Sequence, residues 1–353
     1  MDWFRVLFGF EEKGRSYAEV QAQFELVGKR QLRSRANGAT FDIGTFECLS
    51  LAVLREHALG VGSTGQVRVS HVASNDVFLM HCDPSNHHAV FQAASQFNCL
   101  EFAHPRAKPE NGVTIYALDM TQGPACAIAA GPATVFRNYL VPMRSNDANG
   151  CAIERAGQTG SCQINNLDDI EDLLGNEEHQ YFHVVNGYTD ATNQSLARLN
   201  TLLSTVAEDA LCDALKIGVH WHAQVPFRAR YKMRSADAPK QLVTQAYCSA
   251  LSCGYSYAST KFWAPFARLV LKASYEAALW TAVINAAMTG CHKVYLTILG
   301  GGVFANEQSW IIDAIALAVN KCREFELDVI VVHYKRVDVK VVNELEKAMA
   351  CLE

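Results

Sequence analysis

Apolar positions in this chain fall into two rhythms, and the clearest change from one to the other lies near its end. Val294, Tyr295, Leu296, Thr297, Ile298 and Leu299 form a short run of strand-favouring residues. Gly300, Gly301 and Gly302 follow, then Val303 and Phe304, with Asn306 placed to cap a helix. Trp310, Ile311, Ala314, Ile315, Ala318, Val319 and Cys322 then repeat at helical spacing, and Leu327 to Val332 is a second apolar run. Strand, glycine turn, helix and strand make the pattern of a parallel crossover unit, so Val294–Leu299 and Val329–Val332 are expected to be neighbouring parallel strands.

Other elements follow the same logic. Val67–Val72 and Val77–Met80 are expected strands around an Asn75–Asp76 turn. Asp83 or Ser85 is expected to cap a helix with an apolar face of Val90, Phe91, Ala94 and Phe97, ending in the polar cluster Gln92, Gln96, Asn98 and Glu101. Val113–Leu118 is expected to be a strand running into Asp119, Thr121, Gln122, Gly123 and Pro124. A helix of small residues follows and finishes at Arg137–Asn138–Tyr139. Later come an expected helix near Leu167–Leu174, strands at Tyr181–Val185, Ile217–Val225 and Leu242–Leu251, and helices at Leu196–Leu215, Trp263–Met288 and Val339–Leu352. The expected fold is α/β, a mixed and largely parallel central sheet with helices on both faces. Residues 1–65 are expected to form an N-terminal extension with a short helix and strands, covering a sheet edge. Residues 66–353 are the α/β domain, with a polar insertion at about 144–180.

Half of the 353 residues are hydrophobic, enough for a large core. With 31 basic against 36 acidic residues, there is no broad electrostatic case for nucleic acid or an anionic membrane. The basic loop holding Arg228, Arg230, Lys232, Arg234 and Lys240 is either a solvated connection or a contact for a negative partner. Twelve cysteines without a CxxC pair suggest free thiols in a reducing, cytoplasmic compartment. Met1–Lys13 lacks the layout of a signal peptide, and no run is long enough to span a bilayer. His81, Cys82, Asp83, His87 and His88 match no structural zinc spacing, nor do His220 and His222. Neither a metal nor a cofactor is expected.

Ligands of such sheets bind at the carboxyl ends of strands, where both glycine-containing turns lie. Two small-residue turns facing one crevice suit the two phosphates of a nucleotide: Thr121, Gln122 and Gly123 on one side, and Gly300, Gly301, Gly302, Val303, Phe304 and Asn306 on the other. Gln96 and Asn98 are expected to join them. The alternative for each turn is ordinary tight packing that binds nothing.

Lys272–Tyr275–Glu276–Ala277, the strand Val294–Leu299 and the turn Gly300–Phe304 resemble the end of a macrodomain. Phe97–Asn98 and Thr121–Gln122–Gly123–Pro124 look like the asparagine and first glycine loop of that fold. The resemblance covers roughly residues 66–335 and is nearest the poly(ADP-ribose) glycohydrolase branch. It implies binding of ADP-ribose or an ADP-ribosylated protein, with Asn98 orienting ribose hydroxyls. That branch carries three glycines in its first loop and paired glutamates after them. Here Gly123 stands alone and no paired glutamates follow, so binding is better supported than catalysis. Hydrolysis at the anomeric carbon of the distal ribose needs a carboxyl to protonate a leaving group or activate water, and Glu101 and Asp119 are the candidates. Each is equally a carboxylate at the end of an element. Cys99 is read as an inert buried thiol rather than a nucleophile with His104 as its base. Three functions stay open: an ADP-ribosyl glycohydrolase, a non-catalytic ADP-ribose reader, and an interaction module with an empty glycine turn.

Overall fold

The structure, a computed structural model, describes residues 2–62, 64–146 and 152–352. Seven strands form the central sheet: β1 (Thr45–Ser50), β2 (Val67–Ser74), β3 (Val90–Ala94), β4 (Lys216–Gln224), β5 (Leu242–Cys248), β6 (Lys293–Leu296) and β7 (Leu327–Tyr334). Their order is β1-β4-β5-β3-β6-β7-β2. The pairs from β5 through β3, β6 and β7 to β2 are parallel, while β4 is antiparallel to both β1 and β5. The expected neighbours near the chain end are thus adjacent and parallel, with Val294 opposite Val329 and Leu296 opposite Val331.

Alternation along these strands feeds two cores. Val90, Val294, Leu296, Val329 and Val331 pack on one face, whereas Phe91, Tyr295 and Ile330 pack on the other. Seven helices matter below: α1 (Trp3–Phe8), α2 (Leu51–Gly60), α3 (Val77–Cys82), α4 (Gln122–Ala129), α5 (Thr260–Thr289), α6 (Gln308–Lys321) and α7 (Val339–Ala350). Members of α2, α5, α6 and α7 fill the first core; members of α1, α3 and α4 fill the second. This is the expected mixed α/β sandwich. Helix α5 is buried on most of its surface, as its Ala- and Leu-rich sequence requires, and ends at Gly290 in the left-handed region. No helix among the described residues is long and apolar enough to cross a membrane.

Several local expectations are corrected. Val77–Cys82 is a helix because the Asp76 carboxylate caps it, accepting from the Phe78 amide at 3.1 Å. Val90–Ala94 is a central strand. Both of its faces are buried, so it lacks a strand's alternation and mimics a helical stripe. Val113–Leu118 is a 3₁₀ helix whose first amides are held from outside: the buried Glu12 carboxylate accepts from Val113 N (2.9 Å), Thr114 N (2.7 Å) and the Tyr139 hydroxyl (2.8 Å). The Leu196–Leu215 helix is two, Asn193–Leu203 and Glu208–Ala214. The N-terminal stretch carries α1 and a three-stranded antiparallel meander, and β1 from the same stretch forms one edge of the central sheet. The polar insertion contains a hairpin (Pro142–Asn146 with Ala152–Ala156) and a helix at Asp168–Leu174; its positions 147–151 lie outside the described residues. In the basic loop, Arg230 is bound bidentately by Asp76 and Lys240 pairs with Asp42, so much of its charge is neutralised.

Candidate functional site

Strands β3 and β6 pair only at Val294–Val90 and Tyr295–Phe91, then part. The gap beyond is filled by two glutamines. The Gln92 side chain accepts from Thr297 N at 3.1 Å, on the chain leaving β6. Gln122, at the start of α4, reaches in and behaves like a missing strand: its Oε1 accepts from Ala94 N (2.8 Å) and its Nε2 donates to Gln92 O (2.7 Å). Gly123 follows because the helix start lies so close that a Cβ there would overlap the Ala94 carbonyl. Both turns are thereby fastened to the end of one strand. The amides of Gln122 and Gly123 open α4, at its positive end, and have no acceptor within the helix. Thr121 lies just outside, its amide held by Asp119 Oδ1 at 2.8 Å.

The second turn, Thr297–Asn306, is gripped from below. Tyr275, buried on α5, donates to Thr297 O at 2.6 Å and accepts from Leu299 N at 2.8 Å. Gly300 has φ +74°, with Ala250 and Asn306 against the space a side chain would need. Asn306 does not cap α6; Glu307 occupies that position. Instead the Asn306 amide donates to Gly300 O (3.0 Å) and its Nδ2 to Leu251 O (2.8 Å), while its Oδ1 is buried without a partner. Gly301, Ala305 and Asn306 donate back into the turn. The intervening amides of Gly302, Val303 and Phe304 have no such acceptor among the described residues, and Gly301, Gly302 and Val303 are exposed.

The chain leaving β3 forms the third wall. Gln96 lies against the Tyr188 hydroxyl (3.3 Å), and its Oε1 is buried without a partner. Asn98 is buried with both ends of its amide in use: Oδ1 accepts from Leu100 N (3.0 Å) and Nδ2 donates to Gln163 (2.7 Å). Tyr188, Tyr255 and Phe304 form a triangle of rings with centroids 5.2, 5.5 and 5.8 Å apart. Exposed apolar side chains lie beside these residues in the chain: Tyr257 (96% exposed) after Tyr255, Val303 (66%) before Phe304, and Leu118 (86%) and Met120 (76%) on either side of Asp119.

The two carboxyl candidates occupy contrasting places. Glu101 is fully buried, and its Cγ lies 3.4 Å from where a Gly123 Cβ would stand. The buried Arg137 guanidinium approaches its carboxylate at 3.4 Å, stacks on the Tyr247 ring at 3.8 Å and donates to Cys99 O at 3.0 Å. Burial outweighs this cation and pushes the Glu101 carboxyl up to about 7. Asp119 is half-exposed at the mouth, where its charge helps to raise the hydroxyls of Tyr188 and Tyr255. One carboxyl is therefore disposed to hold a proton, and the other is accessible to water.

The structure brings Gln122 and Gly123 together with Glu101, and Gln96 together with Phe304 through Tyr188. Sequence reasoning missed Gln92, Arg137, Tyr188 and Tyr255 as members of the site, and Tyr116, whose hydroxyl accepts from the Glu101 amide at 3.1 Å. Arg137, a lone cation in an otherwise apolar helical segment, was the one visible signal. A separate groove of about 1020 Å³ runs between α5, α6 and α7, past Leu269, Trp310 and Leu317. Two of its rim cations are already paired, Lys272 with Glu208 and Arg268 with Asp313, and it lacks convergent polar groups. Among the described residues no three metal-ligating side chains converge.

No protein-family model matches the chain, and no curated protein matches it. Among solved structures it is similar to the poly(ADP-ribose) glycohydrolase of Thermomonospora curvata, at 9% identity over 96% of each chain with a TM-score of 0.43. It is also similar to that of Deinococcus radiodurans in complex with ADP-ribose, at 9% identity over 87% of this chain and 95% of that one, TM-score 0.45. A third is the Thermomonospora curvata protein bound to the inhibitor ADP-HPD, at 9% identity over 95% and 96% of the two chains, TM-score 0.41. At such distances the chemistry rests on this chain's own residues.

Proposed function

We propose that the crevice at the ends of β3 and β6 binds ADP-ribose, or a related nucleotide diphosphate, carried on a modified protein. The observation that carries this reading is the locking of two amide-bearing turns onto one strand end through Gln92 and Gln122. The amides of Gln122 and Gly123 on one side, and of Gly302, Val303 and Phe304 on the other, receive the diphosphate. Thr121 and the backbone at Gly300 and Gly301 flank it, and Phe304 packs against the base or a ribose. The unpartnered oxygens of Gln96 and Asn306 accept from hydroxyls. Asn98 orients the ribose by exchanging its bond to Gln163. The exposed apolar side chains of Leu118, Met120, Val303 and Tyr257, on segments next to the crevice residues, support a protein partner. The free thiols suit a cytoplasmic setting.

For hydrolysis, Glu101 supplies the acid and Asp119 the base at the mouth. The full burial of Glu101 and its ion pair with Arg137 favour a second reading, a reader that binds without turnover. Calorimetric titration with ADP-ribose, with product analysis on an ADP-ribosylated protein, separates the two. Hydrolysis lost in Glu101→Gln or Asp119→Asn, with affinity kept within about tenfold (roughly 1.4 kcal/mol), assigns the carboxyl to the transition state. Binding without turnover by the wild type establishes the reader. No binding of ADP-ribose overturns both.

A further inference from the structure

Cys48 lies on the edge strand β1, directly opposite Gly218 of β4. Residues facing each other in such a pair hold their Cβ positions about 5 Å apart on the same side of the sheet. Gly218 has no side chain, and the Cys99 sulfur fills its place: a Cβ on Gly218 would overlap Cys99 Sγ. The Cys99 thiol therefore sits where the cross-strand partner of Cys48 belongs, and the two thiols are neighbours. Cys99 is held there firmly. Its backbone is in the left-handed region (φ +58°), Asn166 Nδ2 donates to its sulfur at 3.2 Å, and its own amide donates to Gln96 O at 3.0 Å. Cys48 is half-buried at the sheet edge, whereas Cys99 is fully buried.

We propose that Cys48 and Cys99 are a redox-sensitive dithiol, a modification site at which a hydroperoxide closes a disulfide between β1 and the segment Ser95–Glu101. The Cys48 thiolate attacks the peroxide oxygen, giving a sulfenic acid and releasing the alcohol, or water from hydrogen peroxide. The Cys99 thiol then attacks that sulfur, and the hydroxyl leaves as water. Two thiols lose two electrons and two protons, the peroxide is reduced, and a dithiol reductant restores the pair. The proximity of Cys99 raises the Cys48 thiol well above its ordinary value, so the first attack is slow at neutral pH and quickens as pH rises. The consequence reaches the crevice, because the Cys99 carbonyl accepts from the Arg137 that pairs with Glu101. The dithiol itself stands whether or not the crevice binds ADP-ribose.

The test is peroxide treatment of the full chain, followed by alkylation under denaturing conditions and peptide mass spectrometry. The exposed Cys351 reports that oxidant has acted. The expected product is a peptide pair joined through Cys48 and Cys99, reversed by dithiothreitol and at least about tenfold reduced in Cys48→Ser and in Cys48→Ala. Both substitutions lie on an edge strand, which keeps them compatible with folding. The proposal is overturned if Cys351 oxidises while Cys48 and Cys99 both remain alkylatable. It is equally overturned if Cys48 proceeds to sulfinic or sulfonic acid with Cys99 recovered as a free thiol.

Discussion

The Tyr275 hydroxyl bridges Thr297, donating to its carbonyl at 2.6 Å while accepting from the Leu299 amide two residues on at 2.8 Å. One phenol on a buried helix thus does for the glycine turn what a neighbouring strand does for a strand. The pairing stops at Leu296, and Tyr275 takes over where it stops.

Tyr275→Phe removes the donor to Thr297 O and leaves the Leu299 amide only its contact with Thr297 O at 2.9 Å, so a stability loss of about 1 kcal/mol is expected by denaturant titration. Under the proposed function, the turn loosens and ADP-ribose affinity falls by more than tenfold. Unchanged stability would show that water replaces the hydroxyl and that the turn needs no clamp.

Gly302 is the cleanest probe of the turn itself. A Cβ there meets nothing within 4 Å, and no left-handed φ constrains the position. Gly302→Val is expected to leave the thermal midpoint within a degree or two of wild type while abolishing measurable ADP-ribose binding, because the new methyl groups project where the phosphate is proposed to sit. Gly301→Val is a poorer choice, since its Cβ presses on Ile298 and Ile311 at 2.9 and 3.1 Å. Retained affinity in Gly302→Val would remove the ligand from this turn.

Glu101 and His81 give opposing pH dependences. Burial raises the Glu101 carboxyl to about 7 from 4.5, so its contribution is fully present below the unfolded value and is lost as pH rises towards 7. Burial lowers His81 to about 4 from 6.5, so its contribution is present above the unfolded value and is lost as pH falls towards 4. Between pH 7 and 5 the two partly cancel in the wild type. Glu101→Gln removes one side of that balance. Its unfolding free energy is therefore expected to drop more steeply on acidification over this range, by an amount on the order of 2–3 kcal/mol. Parallel profiles for the two proteins would mean that Glu101 is ionised throughout, held by Arg137.

What the sequence made legible was whatever a single element encodes. The paired runs at Val294 and Leu327 and the helix between them, the strands at Ile217 and Leu242, and the long helix after Trp263 all carry their period in their own residues. Val90–Ala94 was misread because a strand buried on both faces has no polar beat, and Val77–Cys82 because one capping aspartate decided it. The crevice was legible only in part. Its glycines and amides are local signals, but the grip of Gln122 depends on a strand end 28 residues earlier. The cation beside Glu101 comes from 36 residues away, and Tyr188 reaches Phe102 across 86. Nothing in the neighbourhood of each residue announces its partner.

Strands β1 and β2 are separated only by α2, yet they form opposite edges of the sheet. β1 waits for β4, and β2 pairs with β7 from Val67–Leu327 to Ser74–Tyr334, across 260 residues of sequence. During synthesis, β1 has no partner until β4 has been made, and β2 has none until β7 has been made. Folding is therefore slow and late by topology, with two unpaired strands open to wrong partners meanwhile. A chain broken anywhere between β5 and β7 strands β2 without a neighbour, so fragments of this protein are expected to aggregate rather than to fold as halves.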